Sequence, residues 1–344
     1  MIKVLIVDDS AVARELIEHV LAQDPEIEIA GSVKDGTEAL EFLERYRPDV
    51  VTMDVQMPGM DGFETTRRIM SQYPLPVVIV TAMLDPKADS AIFRTLEAGA
   101  LVILQKPPAV DHPDYRRAAA ELLQTVRLMS EVKVVRRLVR QTAGKKVAAA
   151  EREKAAAVQV VAIGASTGGP VVVQTILASL PGDFPIPLLV VQHMADGFIA
   201  GFAEWLDNSC RIRVKLGEQG ERPLAATAYV APGGMEMGVD QAGRIELKPG
   251  AAGQSLCPSV SYLFHNVAKR FGKNSVGIIL SGMGADGAEG LKAMRERGAV
   301  TVAQDEESSV IFGMPAVAIR LRAALHVLPP EGIVSLLQTV AKRG

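Results

Sequence analysis

Apolar and polar positions along this chain follow two periods that alternate. Short apolar runs, KVLIV (3–7), DVVTM (49–53), PVVIVT (76–81) and ALVIL (100–104), are separated by stretches such as SAVARELIEHVLAQ, where apolar residues return every three or four positions. The runs predict buried strands and the stretches amphipathic helices, so residues 1–125 are expected to form a parallel sheet flanked by helices. From Ala118 to Val139 the apolar positions Leu122, Val126, Met129, Val132, Val135 and Val139 keep the helical spacing and predict one more amphipathic helix. QTAGKKVAAAEREKAAA beyond it is polar, charged and Ala-rich, so 126–157 is expected to be a helical, charged linker. Strand patterns resume at Val158–Ile163, in PLLVVQHM and at Val276–Leu280, which predicts a second α/β domain over 158–344, doubly wound and mostly parallel.

The second domain opens with VQVVAIGASTGGP, a strand pattern running through a Gly-rich turn into the helical pattern PVVVQTILASL. A serine hydroxyl, Ser166, stands at that turn, beside backbone N–H groups and the positive end of a helix dipole, where a developing oxyanion is stabilised. The spacing also approaches the dinucleotide fingerprint G-x-G-x-x-G, but Ser166 occupies the place of the second glycine, and the next strand ends in Gln192 and His193 rather than in an acid. By itself the turn fits a nucleophile, a phosphate cradle or a plain tight turn equally well.

Composition narrows the field. A chain of 344 residues with 48% hydrophobic content can bury about two cores, and a net charge of −3 gives no reason to expect nucleic acid as a partner. No run approaches the roughly 20 unbroken apolar residues of a membrane span, and MIKVLIVDDS enters a strand without a signal peptide, so a cytoplasmic protein without membrane insertion is expected. Cys210 and Cys257 have neither metal-like neighbours nor a disulfide framework.

In the first domain the strand ends carry Asp8 and Asp9, then Asp54, Thr81 and Lys106. Three carboxylates at one sheet edge repel unless a hard cation joins them, and Mg²⁺ with oxygen ligands suits the set. With DDS, MDVQMPGMDG and the Lys106-Pro107 pair, residues 1–125 resemble a response-regulator receiver domain, which has a flavodoxin-like, five-stranded parallel sheet. The resemblance implies Asp54 as phosphoacceptor, Asp8, Asp9, Asp54 and the Gln56 carbonyl around Mg²⁺, Thr81 as switch hydroxyl and Lys106 on the phosphoryl oxygens. Ile103 departs from it, standing where receivers often carry an aromatic residue.

A serine nucleophile needs a base, because a free hydroxyl is weakly nucleophilic at neutral pH. Of five histidines, His19 and His265 lie in helical patterns, His112 in the DHPDY turn and His326 in a short apolar run. His193 alone closely follows a predicted core strand at the edge expected to carry Ser166. The base needs an acceptor on its other nitrogen. SVGIILSGMGADGAEG offers Asp286 at a further strand end; a helix N-cap is its structural alternative, and Asp305-Glu306-Glu307 is the rival acid run. The same turn could aim the Met283 N–H at an oxyanion.

GASTGG, QHM, APGG, PSVSYLF, SGMGADGAEGL and AQDEESSVIFGMP, in this order behind a receiver, resemble the chemotaxis protein-glutamate methylesterases, the CheB family. That resemblance implies Ser166, His193 and Asp286 as a triad, Thr167 beside the nucleophile and Met283 as oxyanion donor. It also implies hydrolysis of glutamyl methyl esters on methylated chemoreceptors, deamidation of receptor glutamines, a chemotaxis histidine kinase as phosphodonor and no cofactor for ester hydrolysis. The receiver is expected to restrain the esterase until Asp54 is phosphorylated. Cys257, Ser261 and Glu236 depart from the family pattern, where Arg, Asp and His are usual. The rival readings are a non-enzymatic Rossmann-like binding module under receiver control and a DNA-binding output, the latter without a helix-turn-helix pattern to support it.

Overall fold

In the computed structural model, residues 1–82, 89–132, 158–250 and 256–342 are described. The chain divides into two compact units, Met1–Arg140 and Gln141–Gly344.

The first unit alternates strand and helix throughout: β1 (Ile2–Val7), α1 (Ala11–Leu21), β2 (Ile27–Val33), α2 (Gly36–Arg45), β3 (Val50–Met53), α3 (Gly62–Gln72), β4 (Val77–Thr81), α4 (Asp89–Glu97), β5 (Val102–Gln105) and α5 (Tyr115–Ser130). Side-chain acceptors fix three helix starts. Ser10 accepts from Ala13 N, Asp35 from Thr37 N and Glu38 N, and Asp61 from Glu64 N, each answering amides that a first helical turn leaves unpaired. The five strands run parallel in the order β2-β1-β3-β4-β5. The strand order therefore turns back between β1 and β3, the place where such sheets open a crevice at the carboxyl ends of their strands. Asp8 follows β1 and Asp54 follows β3.

The helix expected over 118–139 runs Tyr115–Ser130. Its apolar face, including Leu122, Val126 and Met129, is buried, so residues on both sides of position 125 belong to one element, and Val132 lies past its end. The rest of the expected linker, 133–157, falls outside the described residues.

The second unit contains β6 (Val160–Ala165), α6 (Gly169–Ala178), β7 (Leu188–Gln192), α7 (Asp196–Ser209), β8 (Arg213–Leu216), β9 (Thr227–Val230), β10 (Met235–Val239), β11 (Ile245–Pro249), α8 (Val260–Phe271), β12 (Ser275–Ile279), α9 (Ala288–Glu296), β13 (Val300–Gln304), α10 (Met314–Arg320), β14 (His326–Leu328) and α11 (Pro330–Ala341). Seven strands form one sheet, β14-β13-β12-β6-β7-β9-β8, in which every pairing is parallel; the antiparallel pair β10-β11 stands apart. Strands of such a sheet are covered on both faces, which is why β6 is apolar without interruption. Val160 and Ala162 join a cluster with Val260, Leu263 and Phe264 of α8 and Leu291 and Met294 of α9. Val161 and Ile163, equally buried, point by the strand pleat to the opposite face. The strand order turns back between β6 and β12, so the crevice of this sheet opens beside Ser166.

Candidate active site

Ser166 is the first residue past β6, and His193 the first past β7. The two strands pair in register up to Ala165 opposite Gln192, and His193 N donates to Ala165 O at 2.9 Å. The nucleophile and base candidates thus leave the sheet side by side, at the strand spacing of about 4.8 Å. On the other flank Ser166 N donates to Ser281 O at 3.0 Å, just beyond β12. Gly282 is pressed against Ser166: a Cβ on it would lie 2.6 Å from Ser166 Cβ, closer than side-chain carbons pack, so the backbone can pass only without a side chain.

Asp286 reaches back over this edge. Its Oδ2 lies 3.0 Å from His193 Nε2, and both side chains are nearly enclosed, 11% and 10% exposed. Four further donors meet the same carboxylate. Val260 N donates to Oδ2 at 2.7 Å, while Ser259 Oγ, Ser261 N and Gly287 N donate to Oδ1 at 3.0, 3.0 and 2.9 Å. Burial pushes the Asp286 carboxyl up, but the hydrogen bonds from His193 and Ser261 and the histidine's charge outweigh it and hold the group well below the usual carboxylate range. The capping role expected of Asp286 does exist, but it serves another helix. Gly287 caps α9, whereas the Asp286 carboxylate takes the free amides at the start of α8. With Nε2 donating to this carboxylate, Nδ1 of His193 is the nitrogen left to act as base.

Buried Ser281 ties the Ser166–Thr167 turn to the turn that carries Met283. Its hydroxyl donates to Thr167 O at 2.8 Å and accepts from Ile311 N at 3.0 Å, and its own N–H donates to Gln304 Oε1 at 2.7 Å. Met283 is half-buried two residues further on, and its N–H meets no acceptor among the described residues. The acid run at 305 takes no part in this arrangement: Asp305 accepts from the Ser308 amide and hydroxyl within its own loop.

Sequence reasoning did not reach the groups that hold the acid. Glu236, 4% exposed, accepts from Ser259 N at 2.8 Å, and Ser261 Oγ accepts from Gly287 N at 2.7 Å, so two positions that depart from the family pattern build the cradle of Asp286. Ser259, an N-cap type ahead of the apolar periodicity VSYLF, was the available signal; it marks the start of α8 but not what that start faces.

In the first unit the acidic oxygens of Asp8, Asp9 and Asp54 lie within 4.8 Å of one another. Lys106 Nζ bridges two of them, 2.7 Å from Asp8 Oδ2 and 3.1 Å from Asp54 Oδ2. Burial, with a smaller push from Asp8, moves the Asp54 carboxyl above its ordinary value against the pull of Lys106. The lysine's proton is held more tightly than usual, because Asp8 and Asp54 outweigh its own burial. Thr81 is buried at the end of β4 and its carbonyl accepts from Lys106 N at 2.8 Å, while Gln56 is exposed in the loop after β3.

Residues 161–337 match the CheB methylesterase family, and residues 4–114 match the response regulator receiver domain. The chain belongs to the CheB methylesterase family. Protein-glutamate methylesterase/protein-glutamine glutaminase 1 of Syntrophus aciditrophicus is 48% identical, with 99% of each chain covered, and a namesake numbered 4 from Geobacter metallireducens is 49% identical over the same shares. Among solved structures, the CheB methylesterase catalytic domain of Thermotoga maritima is 34% identical and aligns with a TM-score of 0.51 over 53% of this chain and 98% of its own. The expected α/β receiver followed by an α/β methylesterase domain is the architecture found. Among the described residues, no helix is long and apolar enough to cross a membrane.

Proposed function

We propose that this CheB-family chain hydrolyses glutamate methyl esters on chemoreceptors, deamidates receptor glutamines at the same serine, and does so faster when Asp54 is phosphorylated. The observation that carries the reading is the His193–Asp286 pair, set on the strand end next to that of Ser166. His193 Nδ1 takes the Ser166 hydroxyl proton as Oγ attacks the ester carbonyl, and Asp286 stabilises the imidazolium that forms. The Met283 N–H donates to the tetrahedral oxyanion, a bond worth about 3 kcal/mol in the transition state. Collapse expels the methoxy group, which leaves as methanol with the proton from Nδ1. Water then attacks the acyl-enzyme, giving one proton to His193; the glutamate is released and the proton returns to Ser166 Oγ. With a glutamine substrate the same steps release ammonia. Ester hydrolysis in this scheme needs no cofactor.

At the receiver edge, Asp8, Asp9, Asp54 and the Gln56 carbonyl are an all-oxygen donor set suited to Mg²⁺, and three clustered carboxylates paired, among the described residues, with the single charge of Lys106 favour a further cation. When bound, the ion supplies charge neutralisation for the incoming phosphoryl group. Asp54 is then the acceptor, Thr81 and Lys106 hold the phosphoryl oxygens, and a chemotaxis histidine kinase in the cytoplasm is the donor. Methylated chemoreceptors are the substrates.

The test is methanol release from methylated receptor membranes. Ser166→Ala abolishes release, and Asp54→Asn keeps the basal rate but loses stimulation by phosphodonor. Full activity in Ser166→Ala refutes the mechanism, and stimulation surviving in Asp54→Asn refutes the assignment of the phosphoacceptor.

A further inference from the structure

Gln192, the last residue of β7, is 1% exposed. Its Nε2 donates to two carbonyls, Ser166 O at 2.9 Å and His193 O at 3.0 Å. Because both partners only accept, the amide must present its NH₂ to them, and its oxygen faces the other way. That oxygen is buried with no partner among the described residues, 2.6 Å from where a Cβ on Gly169 would stand at the start of α6. A buried amide with an unanswered acceptor is a poorer filler than Met or Leu, so packing does not account for it. Its two donors do.

The acceptors of those donors are the main-chain oxygens of the nucleophile and the base. The β6–β7 ladder ends with His193 N on Ala165 O, and past that bond the two chains are free to separate. Gln192 carries the joint one residue further, while Ser281 O holds the Ser166 amide from the opposite strand. We infer that Gln192 is a positioning residue for the hydrolysis, setting the separation of Ser166 Oγ and His193 Nδ1 from outside the reacting atoms. The inference rests on the Ser-His reading of the site.

The test compares the full-length chain with its Gln192→Met variant, which keeps the bulk and removes the donors. Saturating methanol release falls about 10- to 100-fold with KM unchanged within about twofold, because near-attack geometry loosens while the ester's contacts stay. The rate of Ser166 phosphonylation by a fluorophosphonate probe falls by the same factor. Gln192→Leu, which also lacks donors, carries the test if the Met variant does not fold. Wild-type release and its loss in Ser166→Ala judge the esterase reading separately. Unchanged kcat and labelling in the Gln192 variants overturn the inference, as does a loss of kcat that vanishes once the folded fraction is normalised, or a loss confined to KM.

Discussion

Replacing Asp286 by Asn keeps the shape of the side chain and removes one charge and one acceptor, and the geometry says what each loss costs. Five donors converge on the carboxylate, three on Oδ1 and two on Oδ2. An amide has a single oxygen, so in either orientation its NH₂ faces N–H groups. The less costly one keeps the Oδ1 side and gives up the bonds from Val260 N and His193 Nε2, each a charge-assisted bond worth about 1.5–3 kcal/mol, for a loss of at least about 3 kcal/mol. For a unit of this size that lowers the melting temperature by about 6–12 °C. Catalysis loses a separate amount. An imidazolium and a carboxylate with charge centres about 4 Å apart attract by about 4 kcal/mol at an effective dielectric of 20, so kcat falls about 10³-fold. The pH dependence has a definite sign. The folded Asp286 is more acidic than in the unfolded chain, so its stabilisation is complete above the unfolded value near 3.9 and is lost as pH falls toward the depressed folded one. The melting gap between wild type and Asn is therefore widest near neutral pH and narrows below about pH 4. Melting curves at several pH values and methanol release on the same preparations measure both losses. An Asn variant that melts within about 1 °C of wild type and keeps its kcat would refute the reasoning.

Three further outcomes follow from other parts of the structure. Gly282→Ala drives a Cβ against Ser166 Cβ and the Met314 sulfur, so kcat falls at least about tenfold and stability by about 1–3 kcal/mol, read by methanol release and denaturant midpoint. Lys106→Met leaves Asp8 and Asp54 facing each other without their shared cation, which costs the receiver about 3 kcal/mol and slows Asp54 phosphorylation by a small-molecule phosphodonor; melting and phosphoprotein gels check both. Burial pushes the Cys210 thiol up to about 11, so iodoacetamide labels it slowly in the native protein, and the rate climbs about tenfold per pH unit from 7 to 10; rapid labelling at pH 7 would contradict this.

The sheet cores were legible in the sequence because strands buried on both faces must be apolar along most of their length, as in β3, β4, β6 and β7. β2 escaped the pattern: it is an edge strand with only Ile27 fully buried, so EIEIAGSV lacks a solid apolar run. Ser166, His193 and Asp286 could be chosen because strand ends are where such sheets gather chemistry. What holds them could not. Three of the five donors to Asp286 come from residues 259–261, earlier in the chain and on a different element, and only tertiary packing sets them against the loop after β12. Gln192 could be read only as the absence of an acid; its donors acquire a purpose once the carbonyls of residues 166 and 193 are seen side by side.

At Gly164 the strand leading to Ser166 leaves room that Val260 fills: a Cβ there would overlap the Val260 side chain. Val260 is also the residue whose amide grips Asp286. Chimeras between relatives will therefore tolerate exchange of residues 158–166 only when 256–264 travels with them, since the two segments behave as one heritable block however far apart they are encoded.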